Sequence, residues 1–251
     1  MASLLIGGCI NVAVAAQKNK DSLLANADLA WAVGVQGDLQ LIDPKGEHVN
    51  LRYTSPSANL GEFKVNSSDP GASIGVSTGI NAKLKDHGWF PGYAITIDAL
   101  QSIADSKVNG KWTYTLHSPA NHYHYSYDVN VLTVGANLAI DLYRWRNFTA
   151  FIGPGCGIDW LQSRNFATDP IDASDVSTFR YTGDIDNNFY YQGEAGLRYS
   201  YGRKSLSLAY VYRDLGRVSS GAGTTQAGAI APAIIDPVRT HNIQIGFSYN
   251  I

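Results

Sequence analysis

The sequence predicts an all-β fold, an eight-stranded antiparallel up-and-down transmembrane β-barrel, on three observations. Period-2 alternation of apolar and polar residues recurs in eight segments, the pattern of strands with two different faces. The connections between these segments alternate short and long, as in a barrel whose tight turns gather at one end and whose loops gather at the other. The composition also suits strands and turns. Of 251 residues, 25 are Gly and 15 are Tyr, and charged residues make up 16%, against roughly 25% in ordinary soluble proteins.

The first strand is expected over 30–41 ("AWAVGVQGDLQL"), with Trp31, Val33, Val35, Leu39 and Leu41 on one face. The second covers 73–84, with Ile74, Val76, Ile80 and Leu84, and the third 92–101, with Tyr93, Ile95 and Ile97. The fourth spans 126–142, its clearest face being Leu132, Val134, Ala136, Leu138, Ile140 and Leu142. The fifth, 148–161, presents Phe148, Ile152, Ile158 and Trp160. The sixth, 189–201, gives Phe189, Tyr191, Leu197, Tyr199 and Tyr201, and the seventh, 205–215, gives Leu206, Leu208, Tyr210 and Tyr212. The eighth, "THNIQIGFSYNI" (240–251), alternates to its end, with Ile243, Ile245, Phe247, Tyr249 and Ile251 on the apolar face. Short turns ("KDHGWFP", "YRWRN", "GRK") separate strands two and three, four and five, and six and seven. The remaining connections, 42–72, 102–125, 162–188 and 216–239, are long and rich in Ser, Asn, Asp, Gly and Pro, and are read as loops.

The minor face separates a membrane barrel from a soluble one. It carries Gln36, Asp38, Asp98, Asn137, Asp141, Asp159, Gln192, Glu194, Arg198, Arg213, Asn242 and Gln244 among Gly, Ala and Ser. A solvent-facing surface would be rich in Lys and Glu. Sparse charges of both signs suit a narrow interior in which polar groups satisfy one another. The apolar face is continuous over all eight strands, and lipid is the surrounding that wants it. The sheet must then close, because backbone groups in lipid cannot pair with water.

One pairing is predicted in detail. A turn centred between Arg203 and Lys204 sets Glu194 opposite Arg213 on the interior face, predicting an ion pair with Arg198 supporting nearby acidic groups. Glu194, Arg198, Arg213, Asp141 and Asp159 are thus the expected interior polar network.

Composition excludes several function classes. A net charge of −2 and a pI near 6.3 give no pull toward nucleic acid, so no nucleic-acid partner is expected. No stretch approaches the ~20 apolar residues of a transmembrane helix. The start, "MASLLIGGCINVAVAAQKNK", reads as an export signal over 1–16, leaving 17–251 as the barrel domain. "LIGGC" offers a lipoprotein site at Cys9, ranked below cleavage after "AVAA". With the signal removed, Cys156 stands alone and paired-cysteine metal sites are ruled out.

The segments "AIDLYRWRNFTAFIGPGCGIDW" (139–160), "YYQGEAGLRYSYGRKSLSLAYVYRDLG" (190–216) and the C-terminal strand resemble a bacterial outer-membrane β-barrel family. It is the family of OmpA- and OmpX-like barrels and opacity-type surface proteins. Phe151 to Gly157 loosely match its aromatic, Gly-rich strand, and Tyr212, Arg213, Leu215 and Gly216 match its "YR…LG" segment. The resemblance implies an outer-membrane location, outer-membrane lipid as surroundings, and recognition of the C-terminal strand by the barrel-assembly machinery. Ile251 replaces the usual terminal Phe.

Chemistry-bearing motifs are few. "NHYHYSYD" (121–128) puts His122 and His124 on one strand face, with Asp128 as a third metal ligand; the plainer reading is a strand or loop above the membrane. His124 and Ser126 have a spacing that a barrel hydrolase could use, but the sequence specifies no partner acid. "GPGCGID" (153–159) has no following helix and no Lys-Ser/Thr, so it is a strand whose glycines make room for interior neighbours. "NSS" (66–68) and "GAGTTQAGAIAP" (221–232) read as loop. The expected function is a barrel that anchors and displays its surface loops as a surface antigen, adhesin or envelope-integrity protein. A host or surface ligand is the partner class for those loops. No cofactor, metal or enzymatic activity is expected. The alternatives are a small porin with a narrow pore and a barrel-embedded lipid-modifying hydrolase.

Overall fold

A computed structural model describes residues 27–43, 48–51, 61–84, 89–114, 121–171, 178–225, 228–230 and 232–251. The expected signal segment 1–16, with Cys9, lies outside the described residues. In chain order the strands begin with β1 (Ala27–Ile42), β2 (His48–Leu51), β3 (Gly61–Asp69), β4 (Gly71–Leu84), β5 (Trp89–Ala104) and β6 (Ser106–Tyr114). Next come β7 (Asn121–Trp145), β8 (Phe148–Pro170), β9 (Phe179–Tyr181), β10 (Asp184–Tyr201) and β11 (Lys204–Asp214). The chain finishes with β12 (Val218–Ser219), β13 (Gly223–Thr225), β14 (Gly228–Ile230), β15 (Ala233–Asp236) and β16 (Arg239–Asn250).

Eight of these strands, β1, β4, β5, β7, β8, β10, β11 and β16, pair antiparallel with their neighbours, and β16 returns to β1. The sheet therefore closes, and every strand of the ring finds both partners for its backbone. Paired residues trace a path once round the ring: Val33, Thr78, Ile97, Ala136, Cys156, Tyr191, Asp214, Arg239. The path returns to β1 at Asp43, whose N–H donates to the Arg239 carbonyl. The displacement along β1 is 43 − 33 = 10 residues, the stagger that tilted strands need to close a barrel.

Alternation decides the faces. In the lower part of the ring Val33, Val35, Ile74, Val76, Ile95, Ile97, Leu206 and Leu208 are exposed on the outer wall. Asp38, Asp98, Asp141, Gln192, Arg213 and Asn242 are buried inside.

Toward the loop end this arrangement inverts. On β7 the buried residues are Tyr123, Tyr125, Tyr127, Val129 and Val131, while His122 and His124 stand outside. The inward residues keep their parity but change from polar to apolar at Val131. With Val108, Phe166, Phe179, Tyr181, Leu215, Val218 and Val238 they form one buried apolar cluster. Phe166 meets Tyr181 edge-on at 4.7 Å and stacks on Tyr127 at 5.5 Å. Tyr123 meets Phe179 edge-on at 5.3 Å. Such pairs add about 0.5–1.5 kcal/mol each beyond the area they bury.

The long connections are therefore not plain loops. β3, β6, the upper parts of β7 and β8, and β9, β13 and β14 continue the sheet beyond the ring, and β12, β15 and β2 form a second, three-stranded sheet. This corrects three sequence readings. The fourth and fifth strands run past their expected ends at 126 and 161, to Asn121 and Pro170. "NSS" lies in β3, and "GAGTTQAGAIAP" contains the β13–β14 hairpin. The physical reason is common to all: the polar outer face of a strand in water looks like loop composition when its buried partners come from distant segments.

Candidate functional site

The interior of the ring is the candidate site, and it is built from side chains that reach across strands. Arg213 on β11 donates through Nη1 to Asp38 Oδ2 on β1 at 2.7 Å, and through Nε to Gln192 Oε1 on β10 at 2.8 Å. Gln192 Nε2 donates to Asn137 Oδ1 on β7 at 2.5 Å, and Asn137 Nδ2 to Asp98 Oδ1 on β5 at 2.7 Å. Gln36 Nε2, again on β1, donates to Asp98 Oδ2 at 3.0 Å. Six side chains thus make a nearly closed polar hoop that starts and ends on β1.

Two gaps in that hoop are bridged over small residues. Gln192 and Asn137 meet across β8 at Gly155, where an added Cβ would lie 2.0 Å from Asn137 Oδ1. Between Asp98 and Gln36 the intervening β4 supplies Gly75 and Ser77. Of the glycines in "GPGCGID", Gly155 and Gly157 make room for interior side chains and Gly153 for the backbone of β7 at Leu138, with no phosphate-loop geometry.

The predicted Glu194–Arg213 pair does not form. The hairpin turns on Gly202 and Arg203, pairing Tyr201 with Lys204, so Gln192 faces Arg213 and Glu194 faces Val211. Gly202 takes φ +58°, a conformation glycine enters without steric cost. That residue draws the turn centre one position earlier than the sequence reading set it. Arg213 takes Asp38 from the strand beyond β16 instead. The remaining predicted members divide. Arg198 Nη1 donates to Asp141 Oδ1 at 3.1 Å, with its guanidinium 4.9 Å from the Phe151 ring centre. Asp159 accepts from Asn188 Nδ2 at 3.2 Å. Glu194 lines a cavity of about 100 Å³ with Gln36, Arg198 and Gln244.

Below the hoop, at the turn end, a cavity of about 300 Å³ is lined by Asn81, Lys83, Asp141, Arg144, Arg198 and Asn250. Above the hoop stands the aromatic cluster. Between its two ends the interior is thus occupied first by hydrogen-bonded side chains and then by packed rings.

The outer wall carries an apolar band edged with aromatics. Trp31, Tyr143, Trp145, Phe148 and Tyr201 are exposed toward the turn end, and Phe189, Tyr191 and Tyr210 toward the loop end. Ile243, Ile245, Phe247, Tyr249 and Ile251 continue the band on β16. The Ile251 N–H donates to the Trp31 carbonyl at 2.8 Å, so the seam with β1 is paired to that residue. Cys156 is exposed on the same wall.

At the loop-end rim of the band a second polar cluster faces outward, unforeseen from the sequence. Asp214 accepts from Tyr191 Oη at 2.8 Å, Arg239 Nε at 3.3 Å and the Gly216 N–H at 3.2 Å. His241 contacts Tyr210 Oη through Nδ1 and lies 3.7 Å from Asp43 through Nε2. Its members come from three strands, β10, β11 and β16, and from the chain just past the ends of β1 and β11, so the ring stagger is needed to bring Asp43 to the others.

The histidine motif stands on the outer face of the extension. His122 Nδ1 lies 3.3 Å from Thr113 Oγ1, and Asp128 accepts from Asn165 Nδ2 at 2.7 Å. His124 stands between Lys111 and Asp169 in register, and Asp169 is held by Arg180 at 3.3 Å. Among the described residues no three His, Cys, Asp or Glu side chains gather as a metal centre.

No protein-family model matches the chain, and no curated protein matches it. Among solved structures it is similar to Neisserial surface protein A, at 10% identity over 89% of this chain and 99% of that one, with a TM-score of 0.48. It is also similar to the outer membrane protein OprG from Pseudomonas aeruginosa, at 12% identity over 90% and 98%, with a TM-score of 0.48. The outer membrane protein AlkL, solved in lipid bilayers, is matched at 15% identity over 88% and 90%, with a TM-score of 0.39.

Proposed function

We propose that this chain is a bacterial outer-membrane β-barrel that anchors and displays a β-structured head, without a solute pore. The observation that carries the reading is the pair of interior closures, the Arg213 hoop and the aromatic cluster, beneath strands built from the long connections. The exposed apolar band supports a lipid surrounding, because water would leave dozens of large apolar side chains unburied. The aromatic edges suit the two membrane–water boundaries. A closed sheet is the strand architecture a bilayer tolerates, and the bilayer such barrels occupy is the outer membrane.

Outer-membrane lipid is then the partner of the band, and the β16 edge is the segment the assembly machinery would read. The head, with its alternating Lys, His, Asp and Arg outer face, is the surface a host or envelope ligand would meet. This reading assigns the chain no enzymatic role: Asp169, which faces His124, is engaged by Arg180.

Planar-bilayer recording of the purified, refolded protein tests the pore. Baseline current is expected, and steady, reproducible conductance steps would favour the narrow-porin alternative. Hydrolysis of outer-membrane phospholipid or lipid A by the wild type, lost in His124→Ala, would instead establish the hydrolase alternative.

A further inference from the structure

In the hoop and just above it, several buried polar atoms have no hydrogen-bond partner. They fall into two sets. The first, on β1, β11 and β16, consists of Asp38 Oδ1, Gln40 Nε2, Arg213 Nη2 and Asn242 Oδ1. It mixes donors with acceptors and its charges cancel, which is what ordered water satisfies.

The second set differs in kind. It comprises Asp159 Oδ2, Thr133 Oγ1 and Tyr190 Oη, from residues 0%, 2% and 0% exposed. Thr133 and Asp159 are register partners on the inward face of β7 and β8. Tyr190 reaches them from β10: its ring lies over Gly157 and its hydroxyl against Gly135, where added Cβ atoms would come within 2.8 Å and 2.1 Å of it. Asp98, the register partner of Gly135, contributes a second carboxylate nearby, already engaged by Gln36 and Asn137.

Three oxygens therefore gather in one interior corner: the Tyr190 and Thr133 hydroxyls reach each other, and neither satisfies Asp159 Oδ2. Arg213, the guanidinium of the hoop, is bonded to Asp38 and Gln192 through Nη1 and Nε, and its open Nη2 belongs to the first set; Asp159 is held by the neutral Asn188 amide. An ionised carboxylate in such a place needs a countercharge. The donor set is entirely hard oxygen, suited to an alkali or alkaline-earth ion and unsuited to a soft metal. One open carboxylate oxygen matches one positive charge.

We infer that Asp159, Thr133 and Tyr190 form a buried site for a monovalent alkali cation, which ties β7, β8 and β10 together beneath the aromatic cluster. The hydroxyls present lone pairs to the ion, and Asn188 holds the carboxylate in place through its other oxygen.

Unfolding of the refolded full-length protein, followed in sodium, potassium or tetramethylammonium chloride at equal ionic strength, provides the test. The alkali ion should raise the folded-to-unfolded ratio saturably, by about 11-fold at ten times its dissociation constant. Asp159→Asn should abolish the difference between salts, whereas Asp141→Asn, at the turn end, should retain it. If Asp159→Asn fails to fold, Thr133→Val removes one ligand without changing charge and should weaken the response. Crystals soaked in thallium(I) should show an anomalous peak between the three oxygens. A wild-type stability equal in all three salts, or no peak at saturating thallium, would overturn the site and assign the corner to a protonated carboxylate with water.

Discussion

At the residue scale, the Asp38–Arg213 contact holds the largest concentration of buried charge in the hoop, with both side chains almost wholly enclosed. Removing one partner leaves the other charged and dry. Asp38→Asn is expected to cost about 3–5 kcal/mol, measured by denaturant unfolding from lipid vesicles. An apolar pair of similar volume, Asp38→Leu with Arg213→Met, should recover most of that loss. A second contrast concerns glycines. Gly155 is filled by its neighbours' side chains, while a Cβ at Gly193 would meet nothing within 4 Å. Gly193→Ala should therefore change stability by no more than about 0.5 kcal/mol. Gly155→Ala should break the Gln192–Asn137 bond and lower the unfolding midpoint clearly. Sequence parity placed the hoop residues on the interior face correctly. It could not say which of them meet, because that depends on the turn residue at Gly202 and on glycines in the strand between.

At the element scale, β7 shows what was legible and what was misread. Its even residues from Leu132 to Ile140 are apolar, and its odd residues from Tyr123 to Val131 are apolar too. The alternation persists but its phase reverses between Val131 and Leu132. Read only for composition, 121–128 is a polar cluster; read for phase, it is a strand that has left one solvent for another. Much of the rest of the cluster comes from β6, β8, β9, β12, the residue after β11 and the approach to β16, and no local pattern announces such distant packing. Two measurements follow. Val134→Arg, on the outer wall of the band, should destabilise by about 2–4 kcal/mol, and Asn130→Arg, above the reversal, by about 0–1 kcal/mol. Phe166→Ala should cost about 3–5 kcal/mol and raise hydrogen exchange in β9 while leaving β11 protected.

At the scale of the whole molecule, alternation and the short–long rhythm of connections sufficed for eight strands and closure. Stagger, by contrast, is a property of the entire circuit: each hairpin contributes a local shift, and only their accumulation brings Arg239 beside Asp43. Closure also makes the fold an all-or-none object. β1 finds one of its two neighbours only when β16 arrives, so a chain lacking β16 should fail to acquire the heat-sensitive, detergent-resistant gel mobility of a closed barrel.

The phase reversal on β7 has a further consequence, for depth rather than for shape. Sliding the barrel outward by one pair of residues would lift Leu132 and its register partner Trp160 out of oil; sliding it inward would drown Asn130 and Gln162. The molecule therefore floats at a single waterline and has no cheap way to rise or sink. In a bilayer of the wrong thickness it is the lipid that must stretch or thin, and thermal stability should peak at one acyl-chain length and fall on either side.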